Sequence, residues 1–245
     1  MNLNRIGLLL LMLIGMGSAL QAQRNSRSFL VEGGYHLAFL NPGSFNYLVD
    51  ELYNPRLAVD GTELSPVSNV HGVYAAIGVR RRKNDKRLTF RSYETQLNAT
   101  ELDENGERLR REAMLSGYSL GLSMTGYLLP IGDYSYVGVG GGLILSNTQM
   151  STGTASLSSQ AGDIQLERIV NEFDLGFEIS VPFHAGFGRV FGVTWEPYYL
   201  LSFSGTDAEP FANELIGEDI NNTDPLKSEW DHFGMRVSVS VDLGR

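Results

Sequence analysis

The chain contains no cysteine among its 245 residues, which excludes disulfides and thiolate metal sites. Positive charge is also in deficit. Lys and Arg number 19 against 28 Asp and Glu, a formal charge of −9, and such acidity argues against nucleic acid as a partner. No segment approaches 18 continuous apolar residues, so no spanning helix is read. The longest apolar stretch, Ile6 to Met16, is too short to cross a bilayer. Arg5 precedes it and Ser18, Ala19 and Ala22 follow, the three regions of a secretory signal. Residues 1–22 are therefore expected to be removed as a signal peptide, with 23–245 as a single domain; a formal charge one unit more negative follows from the loss of Arg5.

Signatures of catalysis are also missing. No Gly-x-Ser-x-Gly nucleophile elbow is read, and no His-x-Ser pair falls on a strand face. Ser180 and His184 stand too far apart along an extended strand to work together. Gly138-Val-Gly-Gly-Gly142 lies inside a strand pattern and lacks the Lys-Ser/Thr of a phosphate loop. The expectation is a non-enzyme with no cofactor and no metal.

What the chain has is alternation. From Asp231 to Leu243, Phe233, Met235, Val237, Val239, Val241 and Leu243 occupy one face, and Gly234, Arg236, Ser238, Ser240 and Asp242 the other. About eleven residues at roughly 3.3 Å each, tilted near 40°, span about 25 Å, the height of the apolar band on an outer-membrane barrel. Seven further segments show the same period of two: Ser28 to Phe39, Val70 to Arg80, Arg87 to Asn98, Met114 to Leu128, Tyr134 to Leu145, Val170 to Phe183 and Val190 to Phe203. Pro197 removes a ladder donor from the seventh, which predicts a bulge there.

The connections alternate too. Gaps after strands one, three, five and seven are long and polar, whereas those after two, four and six are short. Barrels of the outer membrane have long outer loops and short periplasmic turns, and an even strand count returns both termini to the periplasm. The longest loop, Asn41 to Asn69, carries an amphipathic stretch over Phe45 to Tyr53 that predicts a short helix. The loop from Gly205 to Glu229 is acidic, and Ser151 to Gln160 reads as a Ser/Thr-rich tip without packing signal.

An eight-stranded antiparallel up-and-down transmembrane β-barrel follows as the all-β fold class. Its signal ending Leu20-Gln21-Ala22-Gln23, its eight alternating strands and its final Val237-Ser-Val-Ser-Val-Asp-Leu243 resemble the small outer-membrane β-barrel proteins of Gram-negative bacteria, the porin-family or outer-membrane-protein barrel domain. Many members end on an aromatic residue, whereas this chain ends Leu243-Gly244-Arg245. The resemblance implies an outer-membrane location, lipid as the surrounding partner, and a structural or surface-binding role through the outer loops toward a surface or periplasmic protein. A narrow porin-like channel, a lipid-modifying barrel enzyme, and a soluble exported barrel with its apolar faces turned inward around a ligand are the alternatives.

If the apolar faces meet lipid, the polar faces fill an interior just wide enough for side chains, where buried charges need partners. Glu32, Glu178, Glu196 and Arg236 are expected to cluster at mid-height, with Arg236 as hub, in a register that sets Glu32 opposite Arg236 and His36 near His232. This cluster plugs the lumen or, alternatively, lines a cation-favouring pore. His36 and His232 are candidate mouth-lining residues, with Asp231 beside them. Arg80, Arg81, Arg82, Lys83, Lys86 and Arg87 form a basic periplasmic turn facing lipid phosphates, an acidic partner or solvent.

Overall fold

Period-two alternation gives each segment one apolar and one polar face, and closing the ring turns the apolar faces outward. A computed structural model describes residues 28–40, 43–57, 61–102, 106–156, 164–219, 226–228 and 230–243. The expected signal peptide and the final Gly244-Arg245 lie outside the described residues. The strands are β1 (Ser28–Leu40), β2 (Val70–Arg80), β3 (Asn84–Leu102), β4 (Arg108–Ile131), β5 (Ser135–Ser156), β6 (Glu167–Ser180), β7 (Phe183–Phe187), β8 (Phe191–Ser202), β9 (Thr206–Asp207), β10 (Lys227–Ser228) and β11 (His232–Leu243). All neighbours pair antiparallel, and β11 joins both β1 and β8, so the sheet closes on itself. Strands β6 and β7 occupy one position in the ring, both lying between β5 and β8. The barrel therefore has eight walls, as the alternation predicts.

The wall made by β6 and β7 is interrupted at Val181-Pro182, next to Pro197 of β8. Pro197 produces no bulge against β11, where the register runs unbroken from His232↔Leu200 to Val241↔Phe191. Its missing N–H instead coincides with the break on the other side, and its carbonyl accepts the Val181 amide at 3.0 Å. The irregularity has moved to the neighbouring strand.

Three connections are short turns: 81–83, 132–134 and 188–190. They share one end of the barrel with Ser28 and Leu243, because Ser28 pairs with Arg80 and Phe29 with Leu243. Gly132 (φ 74°) and Gly188 (φ 75°) supply the left-handed conformation in two of them. At the other end the loop asymmetry is only partly as read. The gap after β3 shrinks to residues 103–107, because β3 and β4 continue as a paired ribbon to Leu102↔Arg108. Likewise Ser151 and Thr152 belong to β5 and are buried, so the start of the supposed Ser/Thr tip is strand. Polar outward residues above the apolar band, such as Glu94, Gln96 and Asn98, erase the alternation without ending the strand.

Outside, Leu122 is 67% exposed and Val73 56%, within a belt that includes Phe29, Phe90, Leu143, Phe173, Trp195 and Val239. Inside, Arg236 is 1% exposed. The inverted barrel, with apolar faces around a ligand, is not the one observed.

Candidate functional site

The lumen is filled in two storeys of opposite chemistry. The storey nearer the short turns is ionic and is built from inward residues of β1, β2, β3, β6, β8 and β11. Arg236 engages Glu196 through Nε (2.9 Å to Oε2) and Nη2 (2.7 Å to Oε1), and Glu178 through Nη1 (2.8 Å to Oε1). Arg87 takes the other side of Glu196, donating from Nη1 at 3.1 Å and Nη2 at 3.2 Å, and reaches Glu32 at 3.3 Å. Arg87 Nε also stands 3.2 Å from Asp85 Oδ1. Arg91 pairs with Glu178, and Arg80 Nη1 with Asp242 Oδ2 at 2.6 Å. Four guanidiniums thus face five carboxylates, so charge nearly cancels within the barrel wall.

Neutral groups complete the carboxylates' shells. Ser180 donates to Glu196 at 2.6 Å and Tyr74 to Glu32 at 3.0 Å. Tyr127 and Tyr136 donate to Asp85 at 3.3 and 3.2 Å. The Arg236 guanidinium carbon sits 5.1 Å from the Tyr74 ring centre and 5.3 Å from that of Tyr198, a cation–π contact on each. Buried ions are tolerable only when so partnered.

The storey toward the loops is apolar. Helix α1 (Gly43–Tyr47) runs on as a π-helical segment over Leu48–Tyr53 and a 3-10 turn over Asn54–Arg56, so the amphipathic stretch read at Phe45 to Tyr53 is helical. The acidic loop supplies helix α2 (Glu209–Ile216), opened by Pro210 and closed by Gly217 at φ 76°. Phe45 stacks on Phe211 with ring centres 5.8 Å apart. Around them Leu48, Val49, Leu215 and Leu226 pack onto Ala99, Leu115, Met150 and Val170 from the strands' inner faces. Two asparagines clasp the returning loop: Asn46 bonds both backbone groups of Val67 (2.8 and 2.9 Å), and Asn54 both of Leu64 (2.9 and 3.0 Å). These helices form a lid over the mouth opposite the short turns.

The four residues expected to cluster are all buried inside the barrel, but their pairing differs from the expected register. β11 pairs with β1 four residues away from the expected alignment: His36 lies opposite Arg236 and Glu32 opposite Ser240. Glu32 consequently answers to Arg87, with Arg80 Nη2 3.9 Å away, and not to Arg236. His36 and His232 line one small cavity beneath the lid, not an open mouth. His36 is buried beneath the lid, where its Nε2 donates to the Ser92 carbonyl at 2.9 Å; His232 Nδ1 donates to Trp230 O at 3.0 Å. Of the basic turn, Arg80 and Arg87 are lumen residues, Arg81, Arg82 and Lys83 remain in the turn, and Lys86 points outward. The sequence reading missed Arg87 and Arg91 as network members. Their signal was the alternation Arg87-Leu88-Thr89-Phe90-Arg91, hidden by treating residues 80–87 as one charge run.

No protein-family model matches the chain, and no curated protein is similar to it. Solved structures are. The chain is similar to Ail, the attachment invasion locus protein of Yersinia pestis, in complex with the heparin analogue sucrose octasulfate, at 10% identity and a TM-score of 0.45, covering 89% of this chain and 100% of that one. It is also similar to Neisserial surface protein A, at 10% identity and a TM-score of 0.43, covering 89% of this chain and 99% of that one. The closed pairing of the chain's own strands makes it a barrel.

The letters Gly117-Tyr118-Ser119-Leu120-Gly121, passed over in the sequence, match a nucleophile-elbow pattern. They lie in the middle of β4 with no helix following, so they make no elbow. Ser119 shares a cavity of about 40 Å³ beneath the lid with His36 and His232, but neither imidazole is hydrogen-bonded to it. His184 Nδ1 does meet Thr194 Oγ1 at 2.9 Å. Its other nitrogen, however, lies 3.4 Å from Arg80 Nη1, and a neighbouring cation opposes the imidazolium that a general base must become.

Proposed function

We propose that the chain is an outer-membrane β-barrel of a Gram-negative envelope, with both termini periplasmic, that acts without catalysis as a sealed scaffold displaying its lid and extended hairpins at the cell surface. The belt of exposed apolar side chains around a barrel that holds its arginine–carboxylate network inside carries this reading. A surface of that kind is unstable in water and suited to lipid. The short turns then face the periplasm, and the lid and the β3–β4 ribbon face outward.

The lid favours a scaffold over a pore, because a channel through the centre would have to pass both an apolar core and a compensated ion network. Cell fractionation tests the location: the chain is expected in the outer-membrane pellet, and recovery in the soluble periplasmic fraction would overturn the reading. Crosslinking on whole cells, scored for adducts to the lid loops, tests display.

A further inference from the structure

We propose that the short-turn mouth of the barrel is a binding site for a phosphate group. The turns at 81–83, 132–134 and 188–190 converge on a polar cavity of about 80 Å³. Arg80, Arg81, Arg82 and Arg189 line it, against only Asp133 and Asp242 as acids. In a chain of formal charge −9, this is a local reversal of sign.

One acid is already engaged. Asp242 accepts from Arg80 Nη1 at 2.6 Å and from Ser28 Oγ at 3.1 Å. Arg80 itself is 5% exposed yet keeps unused donors: its Nε has no hydrogen-bond partner, and its Nη2 stands 3.9 Å from Glu32, beyond hydrogen-bonding distance. A buried guanidinium and three turn arginines around one cavity give an oxyanion a cationic wall, and the planar fork of arginine matches phosphate in two-pronged fashion. The volume equals that of two to three waters at about 30 Å³ each, roughly what a tetrahedral anion displaces.

Phe191 and Pro130 line the same cavity, and Leu129, Ile131 and Phe187 lie exposed nearby. This apolar shoulder beside the arginines accommodates a phosphate ester that carries hydrocarbon. The arginine cavity exists whichever compartment it faces; that it meets the periplasmic leaflet rests on the membrane reading above.

The full chain, folded in a maltoside detergent free of phosphate, provides the test. Its unfolding temperature is followed by heat-modified gel migration with inorganic phosphate or, at equal ionic strength, acetate. In parallel, native mass spectrometry scores retention of phosphatidylglycerol against a neutral glycolipid. The matching variant is Arg81→Gln/Arg82→Gln/Arg189→Gln, confined to the turns. Each arginine removed is expected to weaken binding about fivefold, and the three together about a hundredfold.

Protection by phosphate but not acetate, lost in the variant, supports a free anion as the source. Retention of phosphatidylglycerol alone, lost in the variant, supports the lipid headgroup. Equal effects of phosphate and acetate without lipid retention, or ligands held equally by the variant, would overturn the site. Phosphate binding by a protein recovered in the soluble fraction would leave the site standing while the membrane reading fell.

Discussion

Arg236 holds two carboxylates from two strands and lies between two phenol rings, all inside a ring that shuts out water. Replacing it with alanine leaves Glu178 with Arg91 and Glu196 with Arg87, each short of one ion-pair partner. The expected cost is about 3–5 kcal/mol, typical of breaking a buried pair. It should appear as a lower urea midpoint for the heat-modified form of Arg236→Ala, and an unchanged midpoint would remove Arg236 as hub. Gly72 is the second decisive residue. The β2–β3 ladder pairs His71↔Glu94 and then Tyr74↔Arg91, and at the gap His36 reaches across to the Ser92 carbonyl. A Cβ on Gly72 would stand 1.7 Å from that oxygen, whereas one on Gly33 meets nothing within 4 Å. Gly72→Ala should therefore destabilise by about 1–3 kcal/mol or more, as overpacking does, with Gly33→Ala as the neutral control in the same unfolding assay. At this scale the sequence was legible where strands alternate cleanly: Glu178, Glu196 and Arg236 each sit between apolar neighbours, and all three meet. Gly72 was unreadable, because the need for a bare backbone comes from the close approach of the Ser92–Tyr93 backbone on the next strand.

At the scale of elements, the lid behaves as a small hydrophobic core placed on top of an ionic one. Phe211 and Leu215 of α2 are buried against α1 and the π-helical segment. Truncating Phe211 to alanine removes about 3–5 kcal/mol of packing from the lid while leaving the ladders intact. Limited proteolysis should then cut the segments around 41–69 and 203–231 faster, with heat-modified migration of the barrel unchanged; a loss of barrel migration would show that lid and wall unfold as one unit. The α1 helix was visible in the spacing of Phe45, Leu48, Val49 and Tyr53. Helix α2 was not, since its acidic surroundings suggested a solvated loop and its three buried residues, Phe211, Ala212 and Leu215, form too short a stripe. The extended β3–β4–β5 hairpins were also missed for a physical reason. Above the lipid band both faces of a strand can be polar, so alternation fades although the backbone ladder continues to Leu102↔Arg108 and Leu109↔Ser156.

For the whole molecule, the two storeys make closure redundant. The lid blocks the mouth at the loop end with apolar packing, and the network below it fills the remaining cross-section with side chains whose charges are largely neutralised. An eight-stranded barrel leaves little room for more, so removing one storey exposes the other and does not open a path. Replacing residues 43–57 and 209–217 by short Gly/Ser linkers is therefore expected to leave a planar bilayer silent. A barrel that keeps its lid but carries Arg87→Ser and Arg236→Ser is likewise expected to be silent, provided it still shows heat-modified migration. Only the combination should give steps of current, because Glu196 would then have lost both its guanidiniums, Glu178 and Glu32 one each, and the carboxylates would face a hydrated lumen and favour cations. Steady conductance from the unaltered chain would mean that both storeys move aside together, and the sealed scaffold would give way to a gated pore. Conductance from the lid-deleted chain alone would assign the seal to the loops and leave the ion network the narrower task of fixing strand register.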